Sequence, residues 1–188
     1  MKIHNLISTS VLAMLAFGMT GHAEGADGRA DFFANLYANL CMKNIDNLEE
    51  LHSQVAKSNF QKLPPEHAAQ FLRGLDGEAW RVPYQGQVGN FVLVLPAGKN
   101  ICELYARRAN QADVERQFSR LAAIAPPPLI SEINPVENSE TAANGKTHTL
   151  SYTWSAPQAK RKILFIVTTS SSESAQLQAL GSVSMVKE

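Results

Sequence analysis

The chain has 188 residues, 17 basic and 17 acidic side chains, a formal charge of +0 and 45% hydrophobic residues. Balanced charge without a basic stripe excludes the nucleic-acid-binding class, and the length suits one domain with a single core rather than two. The apolar content is that of an ordinary globular domain, and no cofactor motif is present.

The opening, MKIHNLISTSVLAMLAFGMTGHAEG, has a short basic start (Lys2) and an apolar stretch over residues 6–19 broken by Ser8, Thr9, Ser10 and Gly18. Gly21 and Ala23 then stand at the −3 and −1 places of a small-x-small cleavage site, which predicts a cut before Glu24. Residues 1–23 are therefore read as a cleavable signal peptide and residues 24–188 as a single periplasmic domain. The apolar run is shorter than the about 20 residues a membrane span needs. With Lys2 removed, 16 basic residues face 17 acidic ones. No cysteine follows the leader to accept a lipid, so the expected product is free in the periplasm, with no membrane insertion.

After the leader, Phe33, Leu36, Tyr37, Leu40 and Cys41 recur at helical spacing and predict a helix over residues 31–42 with Cys41 facing inward. Asn47 with Glu50 three residues later makes a capping box for a second helix carrying Leu48, Leu51 and Val55. Pro64-Pro65-Glu66 opens a third, short helix closed by Gly74. The periodicity then changes. Residues 80–82 form a short strand that Pro83 confines to an edge, and residues 91–95 form a continuous apolar strand. The turn over residues 96–100 leads into a hairpin partner over residues 101–107, where Cys102, Leu104 and Ala106 alternate with polar neighbours.

Asn110 caps a helix whose Val114, Phe118, Leu121 and Ala122 share a face, ended by Pro126-Pro127-Pro128. Residues 129–134 follow as strand, and residues 135–146 as an exposed polar loop. In residues 147–154, His148, Leu150, Tyr152 and Trp154 alternate with Thr and Ser, which marks a strand with one wet face. Residues 163–169 are a buried strand, Leu177 and Leu180 suggest a helical turn, and residues 183–186 a terminal strand. The expected fold is α+β: a single domain with a mostly antiparallel sheet, its N-terminal helices and one central helix packed on one face.

Cys41 and Cys102 are an even pair without CxxC spacing or a nearby histidine, which in an oxidising compartment predicts a disulfide between helix and sheet. Other fragments invite chemistry and do not supply it. Asn144-Gly145-Lys146-Thr147 ends like a phosphate-binding loop, but Glu140 stands where that motif needs glycine. Glu66-His67 and Glu49-Glu50-Leu51-His52 lack the two histidines four apart of zinc hydrolases. Ser170, Ser171, Ser172 and Ser174 lack a glycine-flanked elbow.

Two surface features remain. Arg107 and Arg108 together with Lys160, Arg161 and Lys162 make a basic patch if they are adjacent. Trp80 and Tyr84, with the glycine-rich segment over residues 84–89, make an aromatic-edged binding rim.

The runs Gly77-Glu78-Ala79-Trp80, residues 90–95, Ile101-Cys102-Glu103-Leu104-Tyr105-Ala106-Arg107-Arg108-Ala109 and Val114-Glu115-Arg116-Gln117-Phe118 resemble a family of small exported proteins and lipoproteins of Gram-negative bacteria. The resemblance spans about residues 31–126 and includes a cysteine on an upstream helix, here Cys41. It implies an exported location and the cysteine pair, and transfers no catalytic residue. The functional expectation is a non-enzymatic protein-binding module that engages another envelope or secreted protein, such as an immunity or inhibitor protein or an envelope accessory factor. The alternatives are a periplasmic hydrolase using Glu66, Glu78 or Glu103 with His67 or His148, and a small-ligand binder with an apolar pocket between helices and sheet.

Overall fold

The computed structural model describes residues 28–187; the expected leader over residues 1–23 lies outside them. Helix α1 (Gly28–Leu36) runs into a π-helical segment (Tyr37–Met42), and α2 (Leu48–Ala56) and α3 (Pro65–Leu72) follow. The strands are β1 (Gln61–Lys62), β2 (Gly77–Tyr84), β3 (Gln87–Pro96) and β4 (Ile101–Ala106), then, after α4 (Gln111–Ala122), β5 (Ile130–Ile133), β6 (Glu137–Thr141), β7 (Gly145–Ser155), β8 (Arg161–Ser170) and β9 (Ala179–Lys187). All nine belong to one antiparallel sheet in the order β1-β2-β3-β4-β9-β8-β7-β5, with β6 also paired to β7. The fold is α+β.

The helix starts follow from their caps. Asn47 accepts the Glu50 amide at 3.2 Å and Asn110 the Asp113 amide at 3.0 Å, each satisfying an amide the first turn leaves open. Strand alternation then sorts the core into two layers. On one face Trp80, Val82, Phe91, Leu93, Leu104 and Phe165 meet Phe33 and Tyr37 of the first helix, Leu51 and Val55 of α2, and Val114 and Phe118 of α4. On the other, Ala79, Val92, Val94 and Tyr105 meet Leu63, Ala68 and Leu72 around α3. The expectation that every helix lies on one face is corrected: α3 covers the reverse side.

The first helix sits close to the sheet because Gly181 of β9 has no side chain. A Cβ there would come within 2.9 Å of both the Phe33 and Tyr37 rings. The Tyr37 hydroxyl donates to the Ser182 carbonyl at 2.7 Å, beside Ile166, and burial pushes its pKa well above the ordinary tyrosine value. Cys41, in the π-helical segment, is disulfide-bonded to Cys102 of β4 with Cα atoms 5.3 Å apart. Both cysteines are fully buried.

Three elements differ from the sequence reading. The polar stretch over residues 135–146 contains β6, which pairs with the start of β7 from Glu137↔Thr149 to Thr141↔Gly145. Leu177 and Leu180 form no helical turn; Leu180 lies in β9, which starts at Ala179 and takes the centre of the sheet between β4 and β8. The strand around Trp80 is eight residues long and second from the edge, with Pro83 at the register shift between Val82 and Tyr84.

Candidate functional site

The residues marked out by sequence do not form one surface. Trp80 is 2% exposed, its ring meeting the His52 ring edge-on at 5.4 Å, so it belongs to the core. Tyr84 packs on Phe32 and Phe91 at ring distances of 4.8 and 5.6 Å. The glycine-rich segment is a tight turn: Gln85 and Gly86 both take positive φ, and Tyr84 pairs directly with Gln87. The expected aromatic rim is absent because its aromatics are packing residues. The basic clusters also part. Arg107 and Arg108 follow the end of β4 that pairs with Ala179, whereas Arg161 pairs with Lys187. They stand at opposite ends of β9, about 25 Å apart at the strand rise of ~3.3 Å per residue.

The carboxylates considered for hydrolysis are likewise dispersed. Glu78 accepts from His52 Nε2 at 2.8 Å and from Lys62, beside a cavity of about 920 Å³ also lined by Asp46, Glu49 and Lys99. Burial alone would raise the Glu78 pKa, but the hydrogen bonds and charges of Lys62 and His52 outweigh it and hold the carboxyl below its ordinary value. Glu103 faces the other side of the sheet, bonded to Arg73 at the end of α3, with the Tyr105 hydroxyl 3.1 Å away. Burial, and then the charge of Glu103, raise the Tyr105 pKa. These bonds dock α3. Glu66 and His67 are exposed on the outer surface of α3. Glu66, Glu78 and Glu103 each stand apart from His148.

Of the two histidines considered for hydrolysis, His148 is the one that meets a carboxylate, and that carboxylate is Glu115, which the sequence reading did not single out. His148 Nδ1 lies 3.0 Å from Glu115 Oε1, an oxygen that also accepts from Gln111 Nε2 at 2.9 Å and from the Thr169 hydroxyl. Gln111 and Glu115 are one turn apart on α4, and His148 and Thr169 are directly paired across β7 and β8. Glu115 lines a cavity of about 790 Å³ at the start of α4 together with Arg108, Ser171 and Gln178. A smaller concavity of about 340 Å³ beside it includes Lys146, His148 and Ser171. Chemically this is a histidine held in one orientation by a carboxylate, itself held by two donors, at the side of a groove. The i, i+4 spacing on α4 was visible beforehand; its meeting with β7 and β8 was not.

A second feature without a sequence motif is apolar. Ile124, Ile130, Ile133 and Val136 are 77%, 53%, 63% and 47% exposed. They lie where α4 hands over to the outer edge of the sheet. There the Ala122 carbonyl accepts from Ser131 Oγ at 2.8 Å and Trp154 Nε1 at 2.6 Å, fixing the end of α4 against β5 and β7.

Among the described residues, no group of three or more His, Cys, Asp or Glu side chains converges on a point that would hold a metal ion. No described helix is long and apolar enough to cross a membrane. A scan against protein-family models gives no match, and comparison with curated proteins and with solved structures gives no significant similarity.

Proposed function

We propose that the chain is an extracytoplasmic, non-enzymatic protein-binding module of the bacterial envelope, of the immunity, inhibitor or accessory kind. One observation carries this reading: the four aliphatic side chains exposed between residues 124 and 136, at the edge of a sheet whose other apolar residues are largely covered. Aliphatic groups left in water beside a paired and capped helix end contribute little to the fold, and four of them within one short edge segment, set on both faces of β5, mark an edge that meets another macromolecule. The buried disulfide supports an oxidising compartment. The leader and the resemblance to small exported proteins point to the periplasm.

Site-specific photocrosslinking in exporting cells tests the proposal. A crosslinker at residue 133 should trap a discrete protein adduct that one at exposed Lys99 does not. Equal, diffuse labelling from both positions would overturn it.

The His148–Glu115 geometry favours a second reading, a hydrolase in which His148 acts as general base with Glu115 as its orienting partner. Turnover of acyl-ester substrates that His148→Gln lowers by at least about 100-fold, the usual scale of general-base catalysis, would support it. Unchanged background rates in both proteins would dismiss it.

A further inference from the structure

Strands β5 and β6 lie end to end along the outer edge of β7, β5 against residues 152–155 and β6 against residues 145–149. No described strand pairs with their other side. The Asn134 amide donates to the Ser151 carbonyl at 3.0 Å, in the same register as β5. Since the backbone groups of an antiparallel strand point alternately toward and away from the partner, those of Ile130 and Glu132 face β7. Those of Ser131 and Ile133 point outward, available to a further strand.

This edge carries the usual defences against unwanted pairing. Pro135 sits in a break between the β5 and β6 registers, and Glu132, Glu137 and Glu140 are exposed along it. From residue 121 to residue 145 there is no lysine, arginine or histidine. A strand that was only guarded would be polar throughout, yet Ile130 and Ile133 are more than half exposed. Acidic charge set among exposed isoleucines repels a second copy of the same edge and attracts a basic one, because like charges directly across a strand pair destabilise it and opposite charges stabilise it.

Resting on the protein-binding reading above, we propose that β5 is a receptor edge for strand addition. Its occupant is a short extended segment of another protein in which aliphatic residues alternate with lysine or arginine. Ile130 and Glu132 share one face of the strand and Ser131 and Ile133 the other. The occupant therefore sets its basic side chains on the face of Ile130 and Glu132, their methylene stems along Ile130, and its aliphatic ones on the face of Ile133. The break at Pro135 limits the added strand to about four to six residues, enough for main-chain bonds from Ser131 and Ile133 together with side-chain selection.

The test is a titration of the full chain, followed by amide chemical shifts, with two capped hexapeptides of alternating sequence, Lys-Val repeated three times and Glu-Val repeated three times. The basic peptide should shift amides of β5 and its neighbour β7, weaken with added salt, and bind at least about tenfold more tightly than the acidic one. Glu132→Lys should reduce or invert that preference, and Ile133→Asp should abolish binding while the remaining amide spectrum stays that of the parent.

Strand addition is overturned by absence of peptide binding, by shifts centred elsewhere, by indifference to Glu132→Lys, or by self-association through this edge. If the peptides fail while residue 133 still traps a discrete adduct in cells, the protein-binding reading survives without this mode. If both fail, neither stands.

Discussion

Strands β2, β3 and β4 lie between two helical layers, the first helix and α2 on one side and α3 on the other, whereas β7 and β8 carry α4 on one face and leave the reverse face half-buried. Composition follows this division. β3 runs Phe91-Val92-Leu93-Val94-Leu95, apolar at every position because both of its faces are covered. In β7, Leu150, Tyr152 and Trp154 point to the core and alternate with Thr149, Ser151 and Thr153. On the wet side Thr149 and Thr168 hydroxyls bond each other at 2.8 Å. The disulfide and the Arg73–Glu103 ion pair at the end of α3 are in the first half, and the exposed isoleucines and the broken edge are in the second. One half is cross-linked and covered on both faces, and the other leaves aliphatic side chains in water.

The largest expected effect removes what fixes the first half. Cys41 and Cys102 are separated by 61 residues, and opening a loop of that size costs about 4 kcal/mol in the chain-entropy treatment. Cys41→Ser with Cys102→Ser should lower the urea midpoint accordingly, and reduction of the parent protein should reproduce the shift. Hydrogen exchange should show the contrast between halves narrowing. An unchanged midpoint would mean that the helical cover, not the cross-link, holds β4.

Next in size is Gly181→Ala, at the seam between the halves. Its Cβ would enter the space of two buried aromatic rings, and the overpacking should cost about 1–3 kcal/mol in equilibrium unfolding. A neutral outcome would show that the first helix can lift from β9.

The smallest effect is electrostatic. The pKa of Glu78 is lowered in the folded chain, so its contribution is present above the unfolded carboxyl value, about 4.3, and is lost as pH falls through the lowered folded value. The stability difference between the parent and Glu78→Gln should therefore be greatest near neutral pH, below about 1 kcal/mol for so accessible a pair, and vanish in acid. Unfolding curves at matched pH values measure it.

What could be read beforehand was local. The Asn47 and Asn110 caps, the inward face of Cys41 and the alternation through Cys102 each lie within a few residues, and together they placed the cross-link correctly. Only residues 183–186 of β9 were legible as strand; its start escaped because its inward positions include Gly181, so the apolar rhythm skips a beat where the helix comes closest. β6 escaped for the opposite reason: Glu137-Asn138-Ser139-Glu140-Thr141 has no apolar rhythm and is strand only because β7 offers it a backbone partner. The amphipathic pattern of α3 says which side of the helix is buried, not which side of the sheet receives it. The Glu115–His148 meeting joins residues 33 apart through tertiary packing, and no spacing rule announces it.

The position of β9 has a bearing on assembly. It comes after every other described strand, yet it separates β4 from β8 and touches both along their length. Until it arrives, each half ends in an open strand, and the ladder joining Ala106 to Ala179 must close a long stretch of chain first. Late, long-range closure of this sort is slow, and two apolar edges left waiting are prone to clump. A product cut short before Ala179 should therefore leave β4 and β8 as unpaired strands and aggregate rather than persist as a stable partial fold.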